Sequence, residues 1–144
     1  MYKHIIKPIL FLLTPDFTHK LITFCGRVVQ VLPPVRWGIR KSWGFQDNSL
    51  QQEVSGITFR NPIGLSAGFD KNIQLLSLME DIGFGFASGG SVTLEPRKGN
   101  RRPWFHRLPR TKSVVVFAGM PNKGLRKIRN YIERNTRRSS NAVS

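Results

Sequence analysis

The chain has 144 residues, 40% of them hydrophobic, which suits a single domain with a buried core. It carries 23 Lys and Arg against 8 Asp and Glu, a formal net charge of +15, and so favours an anionic partner: nucleic acid, an anionic membrane surface or a phosphorylated ligand. One cysteine, Cys25, excludes an internal disulfide framework, and the isolated His4, His19 and His106 lack metal-ligand spacing, so no metal is expected.

Composition divides the chain into residues 1–32, apolar and basic, a connector over 33–53, β/α units over 54–128, and a basic polar tail over 129–144 expected to be disordered. The apolar run Ile9–Leu13 is far shorter than the ~20 residues a spanning helix needs, so the first segment can lie on a membrane but not cross it. Two short helices are predicted around Thr14-Pro15-Asp16, with Thr14 as N-cap, Pro15 in the first helical position and Asp16 at the positive helix start. In the second helix Phe17, Leu21, Phe24, Val28 and Val31 fall in one apolar sector, widened by Ile22, Cys25 and Val29. His19, Lys20, Thr23, Arg27 and Gln30 lie opposite. Two placements fit this pattern: the apolar sector packs on the protein's own core, with Cys25 a packed thiol, or a helical hairpin dips into a membrane interface.

Further on, Ile57 and Phe59 suggest a short strand with one buried face, and Ile63 to Gly68 a buried strand thinned by small residues. Asn72 can cap a helix with Leu75, Leu76, Met79 and Ile82 inward and Gly83 as its stop. Phe84 to Val92 and Val114 to Phe117 offer two more strands, and a basic helix opens at Gly124. This alternation predicts a parallel α/β sheet. Asn61 to Lys71 is its most informative stretch, because small residues at a strand end let a flat cofactor approach the backbone, and Lys71 sets a cation in the mouth of the sheet. The bland alternative is a tight turn with Asp70 capping the next helix.

The run Asn61-Pro62-Ile63-Gly64-Leu65-Ser66-Ala67-Gly68-Phe69-Asp70-Lys71 resembles the first barrel strand of class 2, quinone-dependent dihydroorotate dehydrogenases. Gly83-Phe84-Gly85-Phe86, Gly90-Ser91-Val92-Thr93, Pro96 with Gly99-Asn100, and Phe105-His106-Arg107-Leu108-Pro109 follow at the family's spacing. Pro8 to Leu13, Pro15 and His19 match its N-terminus. The resemblance covers about residues 1–128. It implies the N-terminal part of a TIM (β/α)8 barrel preceded by a two-helix membrane-associating hairpin. The implied activity oxidises dihydroorotate to orotate through FMN, with a membrane quinone as acceptor, in de novo pyrimidine biosynthesis. It also implies a peripheral protein on the cytoplasmic side of a bacterial inner membrane.

The resemblance places Ala67, Gly68, Asp70, Lys71 and Ser91 at the FMN, Lys71 and Gly119 at the substrate, and His19 and Arg107 at the quinone entrance. It also shows departures. The family's substrate run Asn-Arg-Met-Gly-Phe-Asn-Asn stands here as Val116 to Asn122 and keeps only Gly119 and Asn122, while Glu-Ile-Gly is replaced by Ser88-Gly89-Gly90. The 92 residues after Gln52 suffice for about three of eight barrel strands, and the family's serine base has no counterpart among them. A truncated chain of this kind is expected to bind FMN poorly and to be inactive alone. The alternatives are another FMN barrel oxidoreductase and a non-catalytic, basic, membrane-binding remnant. From Arg97 to Arg138 there are 14 Lys and Arg and one acid, Glu133. Without a nucleic-acid motif this run favours solvated faces or anionic lipid over nucleic acid.

Overall fold

The computed structural model describes residues 2–45 and 47–141, with side chains from 3 to 45 and from 47 to 135. After a π-helical turn over Tyr2–Ile6 come α1 (Lys7–Leu12) and α2 (Pro15–Val29). The start of α2 is built as its sequence predicts: the Phe17 N–H donates to the Thr14 hydroxyl at 3.4 Å, and Pro15 occupies the first turn. A third helix, α3 (Pro33–Trp43), fills the first half of the stretch expected to be a connector. Pro33 and Pro34 stand in its first turn, where a missing N–H costs no hydrogen bond, so the paired prolines start a helix instead of preventing one.

The two faces of α2 sit the reverse of a helix packed on its own core. Thr18 and Gly26 are buried and His19, Thr23 and Gln30 half-buried, while Phe17, Leu21, Ile22, Phe24 and Val28 are exposed, Phe24 at 61%. Gly26 makes this approach possible, since a Cβ there would lie 2.9 Å from Leu78 Cδ2 and 3.0 Å from Leu75 Cδ2. The polar side also finds partners: Gln30 Nε2 donates to the Gln74 carbonyl at 2.7 Å and to the Tyr131 hydroxyl at 2.9 Å. Cys25, expected to be packed, is exposed because it belongs to the outward side.

β1 (Gln52–Val54) and β2 (Ile57–Phe59) form an antiparallel hairpin. Its expected buried face is reduced to the half-buried Phe59, with Ile57 59% exposed. β3 (Gly64–Leu65), α4 (Leu76–Ile82) and β4 (Phe86–Ala87) make one parallel βαβ unit, Gly64 opposite Phe86 and Leu65 opposite Ala87. Gly64 is required there, because a Cβ would overlap the Phe86 ring. Both strands are shorter than their apolar runs suggested, since the backbone turns away at Gly68 (φ 101°) and Gly90 (φ 115°).

Leu75, Leu78 and Met79 form the core, with Val29, Ile39, Leu65, Phe69, Ile82, Phe84 and Ala87 packed around them. Leu76, expected inward, is exposed, and Leu78 takes its place. The predicted stop is present: Gly83 adopts φ 101° and donates its N–H to the Glu80 carbonyl at 3.0 Å. Arg36 and Arg40 of α3 close on Asp81 of α4, whose side chain is fully buried.

The third expected strand is not part of a parallel sheet. β5 (Phe105–Leu108) and β6 (Ser113–Val116) pair antiparallel, with Phe105 opposite Val116 and Leu108 opposite Ser113. The parallel alternation therefore ends after β4, because a four-residue turn returns the chain directly on itself. The last helix, α5 (Leu125–Asn141), runs through most of the tail expected to be disordered. On α5 itself Ile128 is buried, Tyr131 donates its hydroxyl to the Gln74 carbonyl at 3.0 Å, and Arg129 pairs with Glu133 one turn on. Residues 142–144 of that expected tail lie outside the described residues.

Candidate functional site

The ends of β3 and β4 open into a turn and a loop that are tied together through the backbone. Gly68 donates its N–H to the Gly90 carbonyl, and Gly90 donates its own to the Asp70 carbonyl, both at 3.1 Å. Beyond these ties lies a cleft of about 580 Å³. Ala67, Gly68, Lys71, Ser91, Gly119 and His19 all line it, six residues from four separate stretches of sequence. Phe105, Val116, Ala118 and Met120 supply much of the apolar wall. Gly68 faces open space, since a Cβ there would meet nothing within 4 Å.

Lys71 lies in this cleft with its ammonium donating to the Gly68 carbonyl and sitting 4.9 Å from the Phe105 ring centre. Burial pulls its pKa below the ordinary lysine value. Asp16 and Asp70 work against that shift, and Arg102 adds to it. His19 closes the cleft from α2, with Nε2 2.8 Å from the Phe69 carbonyl oxygen and its ring 5.3 Å from that of Phe105. Burial lowers its pKa, as does the nearby Lys71, while the Phe69 hydrogen bond opposes the shift. The neutral ring with Nε2 protonated can donate to that carbonyl.

Two expected site residues do not line this cleft. Asp70 does not line the cleft: its buried carboxylate accepts the Leu75 N–H at 2.7 Å and the Asn72 N–H at 3.4 Å. It prepares the start of α4, and Leu75 rather than Asn72 is the capping position. Arg107 points to the N-terminal helices, donating to the carbonyls of Leu13 at 2.8 Å and Leu10 at 3.1 Å, with the Phe11 ring 4.4 Å away. These carbonyls are at the end of α1, where a cation is favoured.

Two further residues take part to which the sequence assigns no site role. Asp16, on α2, accepts the N–H groups of Trp104 (3.0 Å) and Phe105 (3.2 Å) and pairs with Arg102. Asn122, the retained second asparagine, is buried and knots two loops, accepting the Gly124 N–H at 2.9 Å and donating to the Thr93 hydroxyl and the Met120 carbonyl at 2.9 Å. Among the described residues no cluster of His, Cys, Asp and Glu could hold a metal ion.

A match to the family model for dihydroorotate dehydrogenase covers residues 49–144. The chain belongs to the dihydroorotate dehydrogenase family. It is 39% identical over 120 residues to a dihydroorotate dehydrogenase (quinone) of Sulfurovum, covering 83% of this chain and 34% of that protein. To that of Corynebacterium diphtheriae it is 37% identical over 134 residues, covering 93% and 36%. The ligand-free DHODH of Eimeria tenella superposes with a TM-score of 0.73 at 28% identity, covering 86% of this chain and 32% of that one. The ferulenol complex of the same protein gives 0.67 at 27% identity, covering 86% and 31%. This chain thus spans about a third of the relatives it matches, and its α/β fold is part of the TIM barrel those neighbours form.

Family members are flavin-dependent. The cleft fits the flat ring of such a group: its walls are apolar, Gly68 leaves the backbone open to close approach, and Lys71 and Ser91 offer donors at its edge.

Proposed function

We propose that this chain forms the flavin-facing and quinone-facing part of a dihydroorotate dehydrogenase (quinone), which oxidises dihydroorotate to orotate in pyrimidine synthesis. The observation that carries the reading is the single cleft in which Lys71, Gly68, Ala67, Ser91 and Gly119 converge beneath His19 of α2. FMN bound there would accept a hydride from dihydroorotate and deliver electrons onward to quinone. Gly68 and Ala67 leave room for the ring, the Ser91 hydroxyl can donate to its edge, and the Lys71 ammonium can stabilise negative charge on ring or substrate. Gly119, with φ 68° and no room for a Cβ beside Asn100, would offer backbone to the substrate. No base is assigned within these residues, so what they contribute is binding, orientation and charge.

The helical segment is proposed to dock on a membrane as a peripheral element. Support comes from the outward apolar sector of α2 and from other exposed apolar side chains of the helical segment, Leu12 at 86% and Trp37 and Trp43 at 66% each, with Lys7 over the Phe11 ring and Lys41 over the Trp37 ring. Among the described residues no helix is long and apolar enough to cross a membrane.

The test is an FMN titration of the purified full chain, read by flavin fluorescence, beside flotation with anionic vesicles and an assay of dihydroorotate-dependent quinone reduction. Saturable FMN binding that weakens in Lys71→Ala and Gly68→Ala supports the reading, as does vesicle binding lost in Phe24→Glu. The chain alone is expected to show no quinone reduction. A protein that binds vesicles yet never binds FMN would instead favour the non-catalytic membrane-binding remnant.

A further inference from the structure

A second cleft, of about 320 Å³, lies on the other side of His19 and Lys71, between α2 and the arginine-rich loop before β5. Its helical wall carries Lys20 and Arg27, seven residues and about two turns apart. Its loop wall carries Arg97, Lys98 and Arg102. Arg102 is neutralised by Asp16. Among the described residues no carboxylate lies within ion-pair distance of Lys20, Arg27, Arg97 or Lys98. The one carboxylate lining the cleft, Asp70, is buried and taken up by backbone N–H groups.

Four unpaired cations on two walls repel one another, and a concave surface focuses their field into the space between. A small multivalent anion would relieve that repulsion, and guanidinium groups match its paired oxygens in geometry. We propose that this cleft is a binding site for a phosphate or pyrophosphate ester, held between Lys20 and Arg27 on one wall and Arg97 and Lys98 on the other. The cleft lies on the inward, polar side of α2, away from Phe17, Phe24 and Val28, which favours a soluble phosphate over a lipid head group. Nothing in this assignment depends on flavin binding.

Calorimetric titration of the full chain with pyrophosphate at fixed ionic strength tests the site. The double variants Arg97→Ala with Lys98→Ala, and Lys20→Ala with Arg27→Ala, should each weaken binding by roughly tenfold or more. Arg126→Ala with Lys127→Ala on α5 removes the same charge outside the cleft and should change it less than about threefold. Unchanged circular dichroism and thermal midpoints show that all three variants are folded. Equal losses in all three, loss from only one wall, or no saturable binding would overturn the site. Vesicles of phosphatidylglycerol that displace pyrophosphate from the wild type would assign the phosphate to lipid, and failure to displace it would assign a soluble ester. Either result retains the site.

Discussion

His19 Nε2 lies 2.8 Å from the carbonyl oxygen of Phe69, joining the helical segment to the strand-end turn fifty positions later. Burial lowers the His19 pKa below its ordinary value of 6.5, so the folded state binds the proton less readily than the unfolded chain. The stability tied to the neutral ring is therefore complete above about pH 6.5 and is lost as pH falls toward the folded pKa. Urea midpoints measured from neutral to mildly acidic pH should decline for the wild type and decline less for His19→Gln. Identical slopes would remove His19 as the cause.

Asp81 behaves in the same direction for a different reason. Burial alone would raise its pKa, but hydrogen bonds from Arg36 and Arg40 outweigh burial and hold its carboxyl below the ordinary carboxylate value. Its contribution is present above that value, about 3.9, and disappears as pH falls through the folded one. Asp81→Asn should cost about 1–3 kcal/mol, tempered because both guanidinium groups remain partly exposed. Chemical denaturation at neutral pH measures this loss, and the variant should also be less sensitive to acid.

Gly26 separates two opposing effects on one helix. Replacing it with Ala adds helix propensity worth about 1 kcal/mol but brings a methyl against Leu78 and Leu75. The two should nearly cancel. Gly26→Val adds bulk without that propensity and should destabilise by about 1–3 kcal/mol. A Val variant as stable as the Ala variant would show that α2 and α4 can move apart freely.

Arg107 is expected to hold the end of α1. Arg107→Ala should raise hydrogen exchange across residues 7–13 while leaving the βαβ unit protected. Arg107→Lys should rescue this only in part, because a single ammonium cannot span the Leu10 and Leu13 carbonyls as the fork does. Exchange-mass spectrometry reads both.

Local chemistry made several features legible in sequence. Thr14, Pro15 and Gly83 each satisfy a helix end by their own geometry, and the glycine-lined stretch ending at Lys71 lies at the cleft the structure contains. Periodicity found the apolar sector of α2 but could not orient it. Its outward placement depends on contacts far along the chain, at Leu75, Leu78 and Tyr131. Likewise Val114 to Phe117 announced a strand, but a strand's partner is set by the turn before it, and β5 hides in Phe105-His106-Arg107-Leu108. Asp70 was legible as either a site residue or a helix cap. Its buried carboxylate accepts two backbone N–H groups where the chain enters α4. At Asn122 the bonds to Met120 and Gly124 are local, but the tie that makes the knot reaches back to Thr93 and has no local signature.

A second side chain of α2, besides His19, ties the helical segment to the cleft. The Asp16 carboxylate grips the backbone at Trp104 and Phe105, and the ring of Phe105 backs both His19 and the Lys71 ammonium. A displacement of α2 would therefore reach the ring, and through it the cation in the cleft, by way of that carboxylate.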